Sequence, residues 1–574
     1  MKLDKLQKKF IKKNYRRMTL PQIASKLGLP EGAISEFLKE RGKEVRGSEK
    51  IVSEKIKSFG VIKKILIENK IFLILLSLLI VAVFFNSLFA KFVSADDIAT
   101  IYNQNVTNFS SALKSFNIHT IYLSFLYNIF GDNSGIFHLG SVILHILVSF
   151  LVFIVLYMIF GKNVARISTL LFAVHPVNAE TVNWISAGTY LFFALFIFFA
   201  IISFLLYINS EQRKYLYISV GAYTLGLFLS RSPWILIFVP VISAINWFLI
   251  NPRPSIKKTF KDISFFLPPS LLFVGLLFPA MFSGRISYLQ SFNSFIGQES
   301  TSLPIRAPYT FYSMIRLLIF PLILSLFNEG NPISTPLYVF MIFVSFLYFV
   351  VIALCYRKNR EIAGCMLIIS LSILPTLSPV IIAFFMAERY LYIGSAFFCA
   401  IVSFLLLKVE NRLRVNSLVI VACSSLLSLY SIRTFIRNFD WHDSLSLWLA
   451  TQKVSPKSSR IYNNLGDAYD NVGNTEMSIK SFQKAIELYP EYSDAIHNLG
   501  YEYLKLGELD SAEKYLKKSL EINPNLFPAA YKLGVIEYKK GNNLEAKKYF
   551  EKTLEIAPGN LEAKQGLEII DGLK

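Results

Sequence analysis

The sequence predicts an all-α protein in three parts: a small N-terminal helix-turn-helix-like module, a polytopic membrane helical bundle of about 11 spans, and a C-terminal α-solenoid. Three observations predict it. Hydrophobic residues make up 53% of the 574, with 51 Phe among them, too apolar for an ordinary soluble domain. Apolar runs of about 18 residues or more recur through the middle of the chain, the length a helix needs to cross about 30 Å of hydrocarbon. Near the end, Leu465, Leu499 and Leu533 stand 34 residues apart, and Gly466, Gly500, Gly534 and Pro490, Pro524, Pro558 keep the same interval.

Residues 1–60 make the first part. In "LPQIASKLGLPEGAISEFLKERG", Ala24 allows close helix approach, Gly28 a turn, and Ile34 and Phe37 the packing of a second helix, with Ile23, Leu27 and Leu29 completing the apolar set. The module is basic: residues 1–70 carry 19 Lys/Arg against 8 Asp/Glu. The flank "KLQKKFIKKNYRR" suits an anionic lipid surface, and nucleic acid is not the expected partner. The first apolar run lies too far from the N-terminus, and lacks a small-residue cleavage site, to be a removable signal peptide.

Residues 61–438 make the membrane part. Candidate spans are 71–90, 137–160, 164–175, 188–208, 215–231, 234–250, 262–282, 337–356, 362–383, 390–407 and 415–434. Basic clusters such as "GKNVAR", "NPRPSIKK" and "YRKNRE" mark the cytoplasmic side. The last two must lie on one side, yet three apolar segments separate them. The segment 309–327, with Arg316 and Pro321 in its middle, is taken as the one that does not cross. The result is a cytoplasmic (inner) membrane protein with its N-terminus inside and its repeats outside. Asp96, Asp97, His175, Glu180, Glu388 and Arg389 then collect on the external face. The four cysteines fall in apolar segments and read as small buried hydrophobes.

Residues 439–574 hold the repeats, at about 459–492, 493–526 and 527–560. Each looks like a tetratricopeptide repeat, a helical hairpin that stacks on the next. Asn464 and Asn498 would face the concave groove, either to hydrogen-bond a peptide backbone or simply to pack the repeats. Lys532 stands at the corresponding place in the third repeat.

Several motifs then occur in a characteristic order: "ADDIATIYNQNV" after the first span, "FHLGSVILHIL", "HPVNAETVNWISAGTYL", "AERYLYIGSAFF", and "RNFDWHDSLSLWLATQKVSPKSSRIYNNLGDAY" joining membrane to repeats. The chain from about residue 70 onward resembles the transmembrane and tetratricopeptide-repeat O-mannosyltransferases and their prokaryotic relatives. The resemblance implies a membrane bundle of glycosyltransferase-C type. It also implies transfer of a mannose-like sugar from a polyprenyl-phosphate donor to an acceptor, such as a protein hydroxyl, on the external face. The repeats would bind that acceptor or a partner protein. An acidic residue of the first external loop would take the proton of the attacking hydroxyl, and the anomeric centre would invert. Asp96 and Asp97 match that place.

The residue chemistry agrees. A carboxylate is a sensible general base for a hydroxyl, and a neighbouring carboxylate can orient substrate. A leaving lipid phosphate needs a cation, for which Arg389 is the candidate, with Glu388 beside it. His175 suits a phosphate or sugar hydroxyl, and Glu180 suits sugar hydroxyls or the fixing of His175 or Arg389. Bland roles stand beside these. Asp97 would cap the next helix, His175-Pro176 would end one, Glu388–Arg389 would be a structural ion pair, and His138 and His145 would be buried hydrogen-bonding groups. "NVT" and "NFS", at Asn105 and Asn108, match the N-glycosylation pattern only weakly. No closed His/Cys metal site is present and no cofactor is called for; the acidic pair is the one place for a divalent cation.

The chain departs from the resembled pattern in three places. Ser94 and Ala95 precede the acidic pair where an aromatic is usual. "SAGTYL" lacks an expected Arg and Asp. "SRS", Ser230 to Ser232, keeps a base and loses an acid. A degenerate, non-catalytic membrane scaffold and a lipid-linked glycan ligase therefore stand as alternatives.

Overall fold

The computed structural model describes residues 4, 7–8, 10–11, 20–39, 58–94, 96–230, 233–250, 254–277, 279, 303–326, 333–377, 386–413 and 416–572. Its described elements are all helices. The basic segment 40–57, Arg231 and Ser232 of "SRS", and residues 283–302 and 327–332 of the loop 283–336 lie outside the described residues.

Helices Leu20–Leu27 and Glu31–Lys39 form the expected N-terminal pair. Ile11, Ile23, Ala24, Leu29, Ile34 and Phe37 bury against one another. Gly28 makes the turn at φ 61°, a left-handed conformation that costs glycine little.

Among the described residues, six helices are long and apolar enough to cross a membrane: Ser134–Phe160, Ile185–Ser210, Thr335–Lys358, Arg360–Leu377, Glu388–Val409 and Val419–Asp440. Two bent pairs, Phe59–Glu68 with Lys70–Val83 and Ile256–Ser264 with Leu267–Leu276, bring the number to 8 if each is one span. The other three expected spans take a different form. Lys162–Ala173 has only 12 residues, about 18 Å at 1.5 Å per residue. Arg213–Ser230 opens on two basic residues. Residues 234–249 break into a 3₁₀ turn, a short α-helix and a π-turn. All three contribute to one apolar core with the long helices, through Phe172, Leu227 and Val241 among others.

Between the first and second long apolar segments the chain folds into short helices, Asp97–Ile101, Gln104–Thr107, Phe109–Lys114 and Ile118–Phe130. Asparagines set the starts of the last three. Asn103 accepts from the backbone of Asn105, Asn108 from Ser111, and Asn117 from His119 and Thr120. Asn108 of "NFS" thus has a capping role.

The repeats form three hairpins: Ser459–Asn471 with Thr475–Leu488, Ser493–Lys505 with Leu509–Ile522, and Phe527–Lys539 with Asn543–Ile556, followed by Leu561–Gly572. The reason for the repeated glycine is close packing. A Cβ on Gly466 would lie 2.5 Å from the ring of Phe482, and one on Gly534 would lie 2.6 Å from Phe550. Phe482 is fully buried and has nowhere to swing. Gly466→Ala is therefore expected to cost about 1–3 kcal/mol by overpacking and to lower the thermal midpoint of the repeats, measured by circular dichroism.

Helix Ser444–Val454, capped by Asp443 through the Ser446 N–H at 2.8 Å, joins membrane to repeats. It sits on the first loop. The Lys91 N–H donates to the His442 carbonyl at 2.7 Å, the Ser94 N–H to Ser444 Oγ at 2.8 Å, and Trp448 Nε1 to Ser94 Oγ at 2.9 Å. Val93, Trp184, Trp441, Leu447, Ile461 and Leu465 share one apolar core beneath these bonds. Ser94, where an aromatic residue was expected, is a polar clamp that holds the repeats against the acidic loop.

Candidate active site

Asp96 and Asp97 sit side by side in sequence but in different surroundings. Asp96 is exposed and occupies the N-cap position of helix Asp97–Ile101 at φ 95°, with no capping hydrogen bond from its side chain. A left-handed conformation in a non-glycine residue carries a cost and persists where surrounding structure enforces it. Asp97 is fully buried. Its Oδ1 accepts from the Ser186 N–H and hydroxyl, both at 2.8 Å, and its Oδ2 from the Val93 N–H at 3.4 Å. Asp97 is thus a cross-strut between the first loop and segment 185–187 rather than a helix cap. No cluster of three or more metal-ligating side chains gathers among the described residues.

Burial lifts the Asp97 carboxyl from 3.8 to about 7, against the lowering by Ser186 and Val93. The sign follows from the protonated form being favoured in the fold. Its stabilisation is full below pH 3.8 and lost as pH rises through about 7. Thermal stability is expected to fall over that window. Asp97→Asn should flatten the profile, as read from thermal midpoints at a series of pH values.

A second group lies where "HPVNAETVNW" meets "AERYLYIG". Glu180 and Arg389 form a buried ion pair. Glu180 Oε2 also accepts from the Glu388 N–H at 3.0 Å. Arg389 lies over the rings of Trp184 and Tyr390, 4.8 and 4.9 Å from their centroids. Glu388 Oε1 pairs with Arg437 at 2.8 Å, and Arg437 with Asp440 at 2.9 Å. Three acids and two bases thus run through the protein from "HPVNAE" to "RNFDW". Trp184 extends the chain by stacking on Trp441, centroids 6.0 Å apart. Each of the four groups in the middle is buried, so each requires its partner.

The structure therefore brings Glu180, Glu388 and Arg389 together, with Glu180 rather than Glu388 as the direct partner of Arg389. His175 stands apart: its Nε2 is 3.2 Å from the Leu318 carbonyl, its Nδ1 accepts from Val177, and its ring packs on Tyr430. It starts the 3₁₀ turn Pro176–Asn178. His145 binds Tyr392 Oη at 2.6 Å and the Ala173 carbonyl at 3.0 Å, a buried hydrogen-bonding role. In the repeats, Asn498 donates to Asn463 and Asp467, both at 3.1 Å, so its amide joins neighbouring repeats. Asn464 is half-buried on the preceding repeat. Sequence reasoning missed Ser186, Arg437 and Asp440. Ser186 stands in the departing "SAGTYL", and the other two in the quoted "RNFDW".

Comparison with known proteins bears on this arrangement. Residues 118–281 match the model of the dolichyl-phosphate-mannose-protein mannosyltransferase family, and 459–492, 493–526 and 527–560 match tetratricopeptide repeats. The similarity is to protein O-mannosyl-transferases. Human protein O-mannosyl-transferase TMTC3 is 31% identical over 110 residues, 19% of this chain and 12% of that protein. Drosophila melanogaster Tmtc2 is 33% identical over 143 residues, 24% of this chain and 15% of that protein. The chain thus spans about an eighth of the length of the first of these relatives. The crystal structure of MamA aligns with 24% of this chain and 73% of its own at 25% identity and a TM-score of 0.22, too low to carry an argument.

Proposed function

We propose that the protein is a membrane glycosyltransferase that moves a mannose-like sugar from a polyprenyl-phosphate donor to an acceptor hydroxyl on the external face. The single observation that carries this reading is the exposed, left-handed Asp96 held beside the buried strut Asp97–Ser186, within a chain similar to protein O-mannosyl-transferases. Asp96 takes the proton of the acceptor hydroxyl. The acceptor oxygen bonds to the anomeric carbon from one side, the bond from that carbon to the phosphate oxygen breaks on the other, and polyprenyl phosphate leaves. Asp97 and Ser186 position the loop that carries the base. The Glu180–Arg389–Glu388–Arg437 chain holds the two later segments against it. No metal takes part in this reading.

We further propose that the bundle is of glycosyltransferase-C type with 11 crossings, in the cytoplasmic membrane, its N-terminus inside and its repeats outside. The packing of Trp448 and Ser444 on Ser94 supports one shared face for acidic loop and repeats. The repeats then present an acceptor or partner protein close to Asp96.

The test uses the full chain in lipid vesicles with radiolabelled mannose donors and envelope protein as acceptor. Transfer from polyprenyl-phosphate mannose and none from a nucleotide-linked mannose is expected. Transfer from the nucleotide donor alone would overturn the reading.

A further inference from the structure

The first two repeats carry acids that their own bases do not neutralise. Helices Ser459–Asn471 and Ser493–Lys505 open successive hairpins and are joined by the Asn498 amide, which donates to Asn463 and Asp467 at 3.1 Å. Asn463, Asp467 and Asp470 recur at helical spacing on one side of the first helix, and Asp494, His497, Asn498 and Tyr501 on one side of the second. Lys505 pairs with Asp470 and, at 2.6 Å, with Glu502. That leaves Asp467 and Asp494. Among the described residues neither forms an ion pair, and Asp467 has only the Asn498 amide as a donor. Both are half-buried, with their unbonded oxygens open to the surface. Burial and the nearby Asp470, Asp494 and Glu502 push the Asp467 carboxyl from 3.8 up to about 7.

His497 adds a second, independent sign of a missing partner. The Asn498 nitrogen is spent on Asn463 and Asp467, so its oxygen faces His497 Nδ1 at 3.0 Å and Nδ1 carries the proton. His497 Nε2 is then an acceptor, and it is buried without a donor. Every unmatched polar group on this side therefore asks for a donor, and two of them ask for positive charge. The nearest free cation of the third repeat, Lys532, lies over the Tyr501 ring, 4.1 Å from its centroid, rather than on either carboxylate. Among the described residues these side chains do not gather closely enough to hold a metal ion.

We propose that this face of the repeats recognises an arginine side chain in an extended, basic segment of the partner or acceptor protein, with Asp467 and Asp494 pairing to its guanidinium. The inference rests on the reading that the repeats take such a protein, and it names the chemistry that protein carries. A guanidinium presents five N–H donors in one plane, enough to serve two carboxylates at once, whereas an ammonium is a point charge. It also turns the repulsion between neighbouring acids into attraction. Asn498, occupied within the repeats, leaves recognition to side-chain charge rather than to the peptide backbone.

The experiment titrates the full-length protein, in discs of zwitterionic phosphatidylcholine, with fluorescein-labelled nine-residue Gly-Ser peptides whose central residue is arginine, lysine, glutamate or citrulline, the neutral isostere of arginine. Fluorescence anisotropy reads the Kd. The arginine peptide should bind about 10-fold or more tightly than the citrulline and glutamate peptides, with lysine between. Asp494→Asn should abolish that preference at an unchanged or higher thermal midpoint, because it removes a repelling charge. Asp467→Asn should do the same and decides the matter if Asp494→Asn does not fold. Equal binding of the arginine and citrulline peptides, or a preference that survives in a folded variant, would overturn this inference alone. Binding of none of the peptides would instead remove the reading of the repeats as a partner site beneath it.

Discussion

Asp96→Asn is expected to lower sugar transfer by about 10²–10⁴-fold while leaving the fold intact. The substitution removes the proton acceptor and keeps the size of the side chain. Asp96 is exposed and its side chain makes no capping bond, so helix Asp97–Ile101 does not depend on it. Asn also tolerates the left-handed conformation at φ 95° as well as Asp does. Transfer rate and thermal midpoint, measured on the same preparation, separate the two effects. Asp97→Asn supplies the contrast. Its effect should appear first in stability against pH, since Asp97 is a buried strut. Equal loss of activity at a preserved midpoint for Asp97→Asn alone would move the base to Asp97.

The largest loss of stability is expected from Glu180→Ala, about 3–5 kcal/mol. Removing this carboxylate leaves Arg389 as an uncompensated charge only 5% exposed, and takes the acceptor from the Glu388 N–H. Glu180→Gln should cost less than Ala, because its one amide oxygen keeps one of the two acceptor positions, while the amide nitrogen loses the other. Glu180→Ala combined with Arg389→Ala should cost less than the two single changes added, the non-additivity expected of contacting charges. Thermal unfolding of the four variants checks the order. The expected lesion is specific: the segments 176–184 and 386–391 come apart.

Much of this architecture is legible from the chain because its causes are local or periodic. Membrane-length apolar runs, the Gly466–Gly500–Gly534 interval and the turn at Gly28 each express a rule that a sequence shows directly. Of the three spans that took a different form, 164–175 is short, 215–231 begins behind two basic residues and 234–250 is broken, so length and apolarity alone describe them poorly. At the level of residue type, Asp97, Glu180, Glu388 and Arg389 stood out in the sequence, and all four are buried. The long-range pairings were not legible, because they join positions 49 to 209 residues apart, as in Glu388 with Arg437 and Arg389 with Glu180. Adjacency suggested Glu388 with Arg389, but two neighbours on a 3₁₀ turn point different ways, and Glu388 turns to Arg437 instead. Ser94 and Ser186 read as losses from the resembled pattern. In the fold they are the hydroxyls that fasten the repeats and Asp97 to the loop.

The stereochemistry of the product tests the central claim most directly. A single displacement with Asp96 as base must invert the anomeric carbon, whereas a carboxylate acting as nucleophile would retain its configuration through two displacements. The wild-type protein would be supplied with polyprenyl-phosphate mannose of known anomeric form, and the glycosylated acceptor examined by NMR. The account predicts the inverted anomer. The retained anomer would contradict it.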